Sequence, residues 1–506
     1  MALLTDLPDD LLLEILAYLE HSKRDLLRVS RTCRRLLAPA RTHIYRAIDI
    51  LVCSGLSLYP TTTDRKHWSD IVSRSGNPNP DCNTLYFLLR SLENNTSIGP
   101  LVKNLCVTWT AISRPTVSNE GELETLLKAL PNLRHLEISD KLFRNPITGH
   151  TRSFPNHTKY ILKESSKSPL RSYALDLGRL SSTELASVMI RPEVETITAS
   201  QFCDIGRGTG PLKTFNPNLE KFLASRLSAP SSLKHLDLGT YRISLPVLEA
   251  ILKYAPKLQR LKATLPGRSC RARDPDYGLT ASDRYLTPSA IARALQPVQH
   301  TLEELHMTND PRAWANTDNT RADFSNFPKL RKMCVAPGLW FKWGAFAYGE
   351  HMDIDHGFVA DHEDRRGLWE LLPPNLEELE IYFQFYSAVF SLSAPHVTKL
   401  ENMIDLPHKY YHWIQELATF KPTAFPRLRC VRLTEQLLTG LTVADGISFE
   451  AMVWTPPKDL LDSYAEAGVE LKVQLRSNYR VNEEAEMKSC CVVASAYGRS
   501  CCADDS

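Results

Sequence analysis

The sequence predicts an α/β protein in two parts: a small all-α module at the N-terminus and, behind it, a solenoid of repeated strand–helix units. Two observations predict this fold. Apolar residues recur at helical spacing in residues 7–37. A short leucine pattern then returns many times in residues 102–433. The 506 residues suffice for one small domain plus an extended repeat array.

The first helix is predicted to begin at Pro8, which suits a first helical position. Asp9 and Asp10 follow, and their carboxylates complement the positive end of the helix dipole. The apolar residues then fall at positions i, i+3, i+4 and i+7, namely Leu12, Ile15, Leu16 and Leu19.

A second helix is predicted to begin at Ser22, which forms a capping-box pattern with Asp25. Its apolar residues recur at helical spacing up to residue 37, namely Leu26, Val29, Cys33, Leu36 and Leu37. Arginines take most of the other positions. Because two helices of this size cannot bury two apolar faces within themselves, the pattern predicts a partner protein.

These residues resemble the F-box, the helical module by which substrate receptors dock on the Skp-family adaptor of cullin-RING ubiquitin ligases. The resemblance rests on Leu7-Pro8, Asp25-Leu26 and the run from Val29 to Arg35, while Leu36 stands where many members carry Trp. It implies binding to the adaptor, and through it to a cullin. The implied adaptor-binding residues are Leu7, Pro8, Leu12, Ile15, Leu16, Leu19, Leu26, Val29 and Leu36. The alternative is a helical hairpin packed on its own domain.

The repeated pattern is apolar, two residues, apolar, one residue, apolar. Its spacing averages about 33 residues, above the 20 to 29 of regular leucine-rich repeats. A unit of one strand and one helix cannot cover its apolar side alone, so we expect a leucine-rich-repeat-like solenoid with parallel strands inside and helices outside. Clear copies begin at Leu133, Leu233, Leu302 and Leu376, looser ones at Leu258, Leu330 and Leu428, and weaker ones at Val102, Leu170, Val194 and Val397.

The chain is accordingly predicted to have four segments. They are an F-box at 1–48, a linker and capping helix at 49–98, the solenoid at 99–480 and a disordered tail at 481–506. Two insertions interrupt the array, at 266–287 and 337–373. The capping helix is expected around residues 85–92, and Pro131 and Pro256 are expected to stop the helices before two strands.

The combination resembles fungal-type F-box proteins with irregular leucine-rich domains. It implies a non-catalytic, substrate-recognition subunit of an SCF-type ubiquitin ligase that binds a protein substrate on the concave sheet. There, residues alternating with the buried leucines point outward. These are His135, Glu137, His235, Asp237, Arg260, Lys262, Glu304, His306, Lys332, Glu378, Glu380, Tyr382 and Arg432.

Two tryptophans in the second insertion, Trp340 and Trp343, are added to the predicted substrate-binding residues. Tryptophan outside a repeat pattern exposes a large apolar surface unless it meets a partner, and it is favoured at binding hot spots. Packing of both rings onto the rim of the solenoid is the alternative interpretation.

Other function classes find little support in the sequence. The 60 basic and 58 acidic residues nearly cancel, so we expect neither nucleic acid nor membrane as a partner. No cofactor-binding motif is present, because Gly206 to Gly210 lacks the dinucleotide-binding spacing. Acidic first residues and scattered single cysteines indicate a cytoplasmic or nuclear protein.

Two alternative functions stay open. The protein could be an F-box scaffold that acts outside a ligase. It could also be a metal-dependent hydrolase using His351, Asp353, Asp355, His356, Asp361 and His362, which supply metal-ligating atoms but match no known motif. A solvated charged loop is the other interpretation of that cluster. The pairs Cys490-Cys491 and Cys501-Cys502 lack C-x-x-C spacing and fit a polar tail.

Overall fold

A computed structural model describes fourteen parts of the chain, and every structural statement below concerns these residues. They are 7–20, 22–54, 84–111, 125–140, 169–176, 182–199, 223–224, 230–243, 245–265, 287–309, 320–341, 365–383, 408–435 and 456–474. The chain divides into two compact units, Met1–Thr264 and Leu265–Ser506.

Three helices open the first unit: α1 (Asp9–Ala17), α2 (Lys23–Ser30) and α3 (Arg34–Arg46). The prediction of a single helix after Ser22 is wrong, because the chain leaves the helical conformation between α2 and α3. The Thr32 hydroxyl donates to the Val29 carbonyl at 2.7 Å and so satisfies the end of α2. Cys33 is extended, with φ −154° and ψ 157°, and precedes α3.

A parallel sheet follows in the first unit, with the strands side by side in chain order. The strands are β1 (Ala47–Ser54), β2 (Asn104–Ala111), β3 (His135–Asp140), β4 (Ser172–Asp176), β5 (Thr196–Ala199), β6 (His235–Arg242) and β7 (Arg260–Leu265). Parallel neighbours require crossover connections. Helices α4 (Thr84–Asn94), α5 (Ser182–Met189) and α6 (Leu245–Tyr254) lie in three of these connections.

The second unit repeats this scheme, with five parallel strands in chain order. They are β8 (Glu304–Asn309), β9 (Lys332–Val335), β10 (Glu378–Phe383), β11 (Cys430–Glu435) and β12 (Glu470–Gln474). Its helices are α7 (Pro288–Leu295), α8 (His412–Ala424) and α9 (Lys458–Glu466).

The strands lie where the repeated pattern placed them. Each strand from β2 to β11 begins two residues after the first apolar residue of a copy, as β3 does after Leu133. Along β3, Leu136 and Ile138 are buried while His135 and Glu137 are exposed, so one face of the strand is buried and the other faces solvent. The α/β fold, a helical module followed by a parallel sheet, is confirmed. A solenoid stays a prediction.

Some expectations about the repeats change. Val397 lies outside the described residues. β10 pairs directly with β11, so the strand predicted after Val397 does not lie between these two in the sheet. Strands β1 and β12 were not predicted, because each has alternating apolar residues without the preceding leucine. β1 occupies the start of the predicted linker, whereas α4 covers the residues predicted to form a capping helix.

The second predicted insertion, 337–373, is partly integrated into the core of its unit. Within its described residues, Leu339, Leu368 and Leu372 are buried. Short 3₁₀ turns at Pro337–Leu339 and Leu368–Leu371 position these side chains. The first insertion, 266–287, lies outside the described residues except for its last residue, and so does the tail from residue 481 onward.

Candidate functional site

The N-terminal helices form a module with its own core. Leu16 of α1, Leu26 of α2 and Ala40 of α3 are buried together. Around them pack the partly buried side chains of Leu19, Val29 and Ile44. The three helices therefore cover each other, whereas the sequence predicts two helices that leave both apolar faces open.

This packing places part of the predicted adaptor-binding set inside the module, and the role of these residues in binding stays a prediction. Of its nine residues, Leu12, Leu16, Leu26 and Leu36 are buried within the chain itself. The reason is α3, whose stripe of Leu36, Ala40 and His43 at i, i+4 and i+7 faces inward. Leu19 and Val29 are partly buried against the same core.

A second apolar stripe lies on the outside of α1. Leu11 is 45 % exposed, Ile15 38 % and Tyr18 87 %, at positions i, i+4 and i+7. Leu27 on α2 and Leu37 on α3 are also exposed. Among the predicted residues, Ile15 and Pro8 are exposed and Leu7 is half-buried. Sequence periodicity missed Leu11 and Tyr18 because residues 11–13 are all leucine and fit either stripe.

Hydrogen bonds hold the three helices in place. The Ser22 hydroxyl caps α2, accepting from the Asp25 backbone N–H at 3.4 Å and donating to the Asp25 carboxylate at 2.6 Å. This bond lowers the pKa of Asp25. The predicted cap at Ser22 is thus confirmed, but the reciprocal bond of a capping box is not formed, because the Ser22 backbone N–H donates to the Leu19 carbonyl at 2.8 Å. The His43 Nε2–H donates to the Leu13 carbonyl at 3.1 Å and joins α3 to α1.

On the exposed face of the first sheet, the predicted substrate-binding residues fall into two rows. His135, His235 and Arg260 belong to one row, in register through Ser172 of β4 and Thr196 of β5. The next row holds Glu137, Asp237 and Lys262, and an ion pair of 3.1 Å joins Lys262 to Asp237.

The second sheet carries a denser network on the corresponding face. The Glu378 carboxylate forms ion pairs with Lys332 at 3.5 Å, Arg432 at 3.5 Å and Arg429 at 2.6 Å. Glu304 is in register with Lys332 in the same row. Arg429 was not in the predicted set, since it precedes its strand and the alternation rule starts at the strand itself.

A mixed cluster continues this face. The rings of His306 and Tyr382 lie 6.1 Å apart, and the Thr434 hydroxyl donates to Glu380 at 3.1 Å. Burial, together with the nearby Glu380 carboxylate, raises the pKa of Tyr382 to about 12. The Cys334 Sγ lies 3.8 Å from the His306 Nε2. Cys334 was not predicted as a site residue because a cysteine within a strand pattern is counted as an apolar residue.

The interpretation of Trp340 as an exposed binding residue is wrong. Its ring is 1 % exposed and its Nε1–H donates to the Ala322 carbonyl at 3.0 Å. It packs edge-on against Phe324 at 6.2 Å. The neighbouring Phe341 packs against Trp413 at 5.1 Å. Trp343 lies outside the described residues.

The cluster from His351 to His362, Gly206 to Gly210 and the two cysteine pairs lie outside the described residues. Within the described parts of the chain, no group of three or more His, Cys, Asp or Glu side chains is arranged to hold a metal ion. Among the described helices, none has the length and apolar character needed to cross a membrane.

Comparison with known protein families adds one match. Residues 4–51 match the F-box-like family, and this segment contains α1, α2, α3 and the start of β1. The match supports an F-box protein and agrees with the resemblance drawn from Leu7 to Leu36. No curated protein sequence matches the chain.

Proposed function

We propose that this chain is a substrate-recognition subunit of an SCF-type ubiquitin ligase. The observation that carries the proposal is the F-box-like segment at residues 4–51, whose helices expose an apolar stripe. F-box domains bind Skp-family adaptors. The adaptor in turn links the chain to a cullin, and the sheets behind the helices present polar faces to a protein substrate. The chain itself is non-catalytic.

The adaptor-binding surface is proposed to centre on Leu11, Ile15 and Tyr18. Interface cores are enriched in aromatic and large apolar side chains, and Tyr is frequent among the residues that dominate binding energy. The buried leucines of the predicted set act indirectly, because they hold α1 against α3 and so keep this stripe on the outside. Leu27 and Leu37 add apolar area on the other two helices.

The substrate-binding surface is proposed to be the exposed face of the sheets. Parallel strands lie about 4.8 Å apart, so each added strand extends a row of side chains by that distance. Charges of both signs occur along the rows, and this favours a polar protein partner over an apolar ligand.

Co-purification with a Skp-family adaptor tests the first half of the proposal. Ile15→Asp with Tyr18→Asp places two charges in the apolar stripe and should cost about 2–4 kcal/mol of binding free energy, enough to abolish co-purification. The matched control is Leu461→Asp on α9, another exposed leucine, which should bind normally. Circular dichroism checks that α1 remains folded.

The result also separates the two alternatives. Undiminished adaptor binding by the double variant would contradict the proposed surface. A chain that co-purifies with the adaptor but never with a cullin would favour an F-box scaffold outside a ligase. Proximity labelling with and without proteasome inhibition then identifies a substrate, since a ligase substrate accumulates when the proteasome is blocked.

A further inference from the structure

A line of cationic residues runs across the first sheet just before its strands begin. The backbone N–H of Lys103 donates to the Arg46 carbonyl at 2.9 Å, that of Arg134 to Lys103 at 2.8 Å, and that of Arg171 to Arg134 at 2.8 Å. These four residues therefore occupy the same level of β1, β2, β3 and β4. We call them the basic row.

The basic row is largely uncompensated. No carboxylate of the described residues lies within ion-pair distance of Lys103, Arg134 or Arg171, whereas Arg46 reaches Glu20 at 3.5 Å. His135 lies beside the row, and its pKa is lowered by its partial desolvation and then by Arg134, Arg171 and Arg46. Like charges on neighbouring strands repel each other, and this repulsion favours the binding of an anion along the row.

The same level of the second sheet shows the contrast. There the corresponding residues are Glu303, Arg331, Glu377 and Arg429, linked by the same backbone bonds. Their signs alternate, and the side chains pair with each other: Arg331 with Glu303 at 2.7 Å and with Glu377 at 3.8 Å, and Arg429 with Glu377 at 3.6 Å. At this level of the second sheet the charges therefore neutralise one another, whereas in the basic row only Arg46 has a carboxylate partner among the described residues.

We propose that the basic row binds an acidic, carboxylate-rich segment of the captured protein, laid across β1 to β4 in extended form. Three strand intervals of about 4.8 Å span about 14 Å, which matches about four residues of extended chain at about 3.4 Å each. This inference deepens the proposed function, on which it rests, by giving the chemistry of the substrate.

Charge distribution favours carboxylates on a peptide. Four cations spread along a line match several single charges, whereas one phosphate needs cations that converge on a point. The row is also short: the next residue at this level is Glu195, which pairs with Lys234 at 3.3 Å. Glu137 lies exposed on β3 beside the row. These two carboxylates bound the cationic surface and disfavour a long polyanion such as nucleic acid.

Fluorescence anisotropy on the purified full chain tests the proposal. The probe is a labelled peptide rich in Glu, compared with the same peptide carrying Gln at each Glu. The Glu peptide should bind and the Gln peptide should not, and added salt should weaken binding. Arg134→Glu with Arg171→Glu should lower the affinity at least about tenfold.

The control has the same change in net charge at two exposed residues outside the row, Lys329→Glu with Arg427→Glu, and should bind as the unmodified chain does. Arg134→Lys with Arg171→Lys keeps the charge and should retain most of the affinity. A second readout is the NMR titration of His135, whose pKa should rise on peptide addition because bound carboxylates offset the neighbouring arginines.

Three outcomes would overturn the inference: equal loss of affinity in the control, no binding of the Glu peptide, or tighter binding of a phosphopeptide or an oligonucleotide of equal charge. Adaptor co-purification of the Arg134 and Arg171 variants is measured in parallel and should be unchanged. A failure of peptide binding with intact adaptor binding therefore contradicts the inference and leaves the proposed function in place.

Discussion

At the scale of single residues, burial separates side chains that the sequence treats alike. Leu12 and Leu11 are adjacent leucines of α1, yet the first is buried and the second is 45 % exposed. Their roles differ accordingly, because a buried leucine stabilises the module while an exposed one is available to a partner. The same distinction moves Trp340 from a proposed binding residue to the core of the second unit.

Trp340 provides a test of that placement. Trp340→Ala should lower the free energy of unfolding of the second unit by about 3–5 kcal/mol, since a large buried side chain is lost. Trp340→Phe should cost less, about 1–3 kcal/mol, because the ring packing against Phe324 survives. The remaining cost arises because the Ala322 carbonyl loses its hydrogen-bond donor. Urea unfolding followed by circular dichroism measures both. Unfolding midpoints equal to that of the unmodified chain would contradict the burial of Trp340.

At the scale of elements, the close approach of backbone segments limits which residue a turn accepts. The 3₁₀ turn Gly99–Leu101 leads into β2, and its first residue packs against the turn before β3. A Cβ atom added at Gly99 would meet the Ala129 carbonyl oxygen at 2.1 Å. The turn therefore requires glycine for lack of space, and Gly99 is not among the glycines with positive φ.

Gly99→Ala should therefore destabilise the first unit. We expect a loss of about 1–3 kcal/mol, the usual cost of forcing extra atoms into a packed site. Thermal unfolding measures the effect. The control is Thr96→Ala, an exposed position of the same connection, which should change stability by less than about 0.5 kcal/mol. A stable Gly99→Ala variant would show that the two turns are farther apart than described.

At the scale of the whole molecule, each unit arranges its described strands side by side in chain order, and β1 of the first unit follows α3 without an intervening residue. The F-box-like segment and the first sheet are thus joined directly, since β1 starts at Ala47 and the family match ends at residue 51. The linker predicted from residue 49 would begin inside this strand.

Deleting residues 481–506 should leave the melting temperature and adaptor binding unchanged. The reason is that the segment has no apolar period and follows the last described strand. Differential scanning calorimetry and adaptor co-purification measure the two effects. A deletion that begins at Glu470 is the positive control, because it removes β12 and should lower the melting temperature. Unfolding caused by the shorter deletion would mean that the tail is a structural cap.

The positions of most strands and of one helix cap could be predicted from the sequence. The leucine pattern located the strands from β2 to β11, because the alternation of buried and exposed side chains along a strand is a local property. The helix cap at Ser22 was likewise predictable, since the cap and the Asp25 N–H that it accepts from lie three residues apart. For the same reason, the alternation along each strand was enough to assign residues such as His135 and Glu378 to the exposed face.

The tertiary structure alone decided which apolar surface of α1 faces out, because leucines surround that helix and α3 selects the stripe it covers. It also decided the burial of Trp340, which depends on Phe324 and Ala322 at a distance along the chain. The basic row and its neutralised counterpart in the second sheet could not be predicted from the sequence for a similar reason. Their members lie many residues apart in sequence, and only the register of parallel strands brings Lys103, Arg134 and Arg171 side by side.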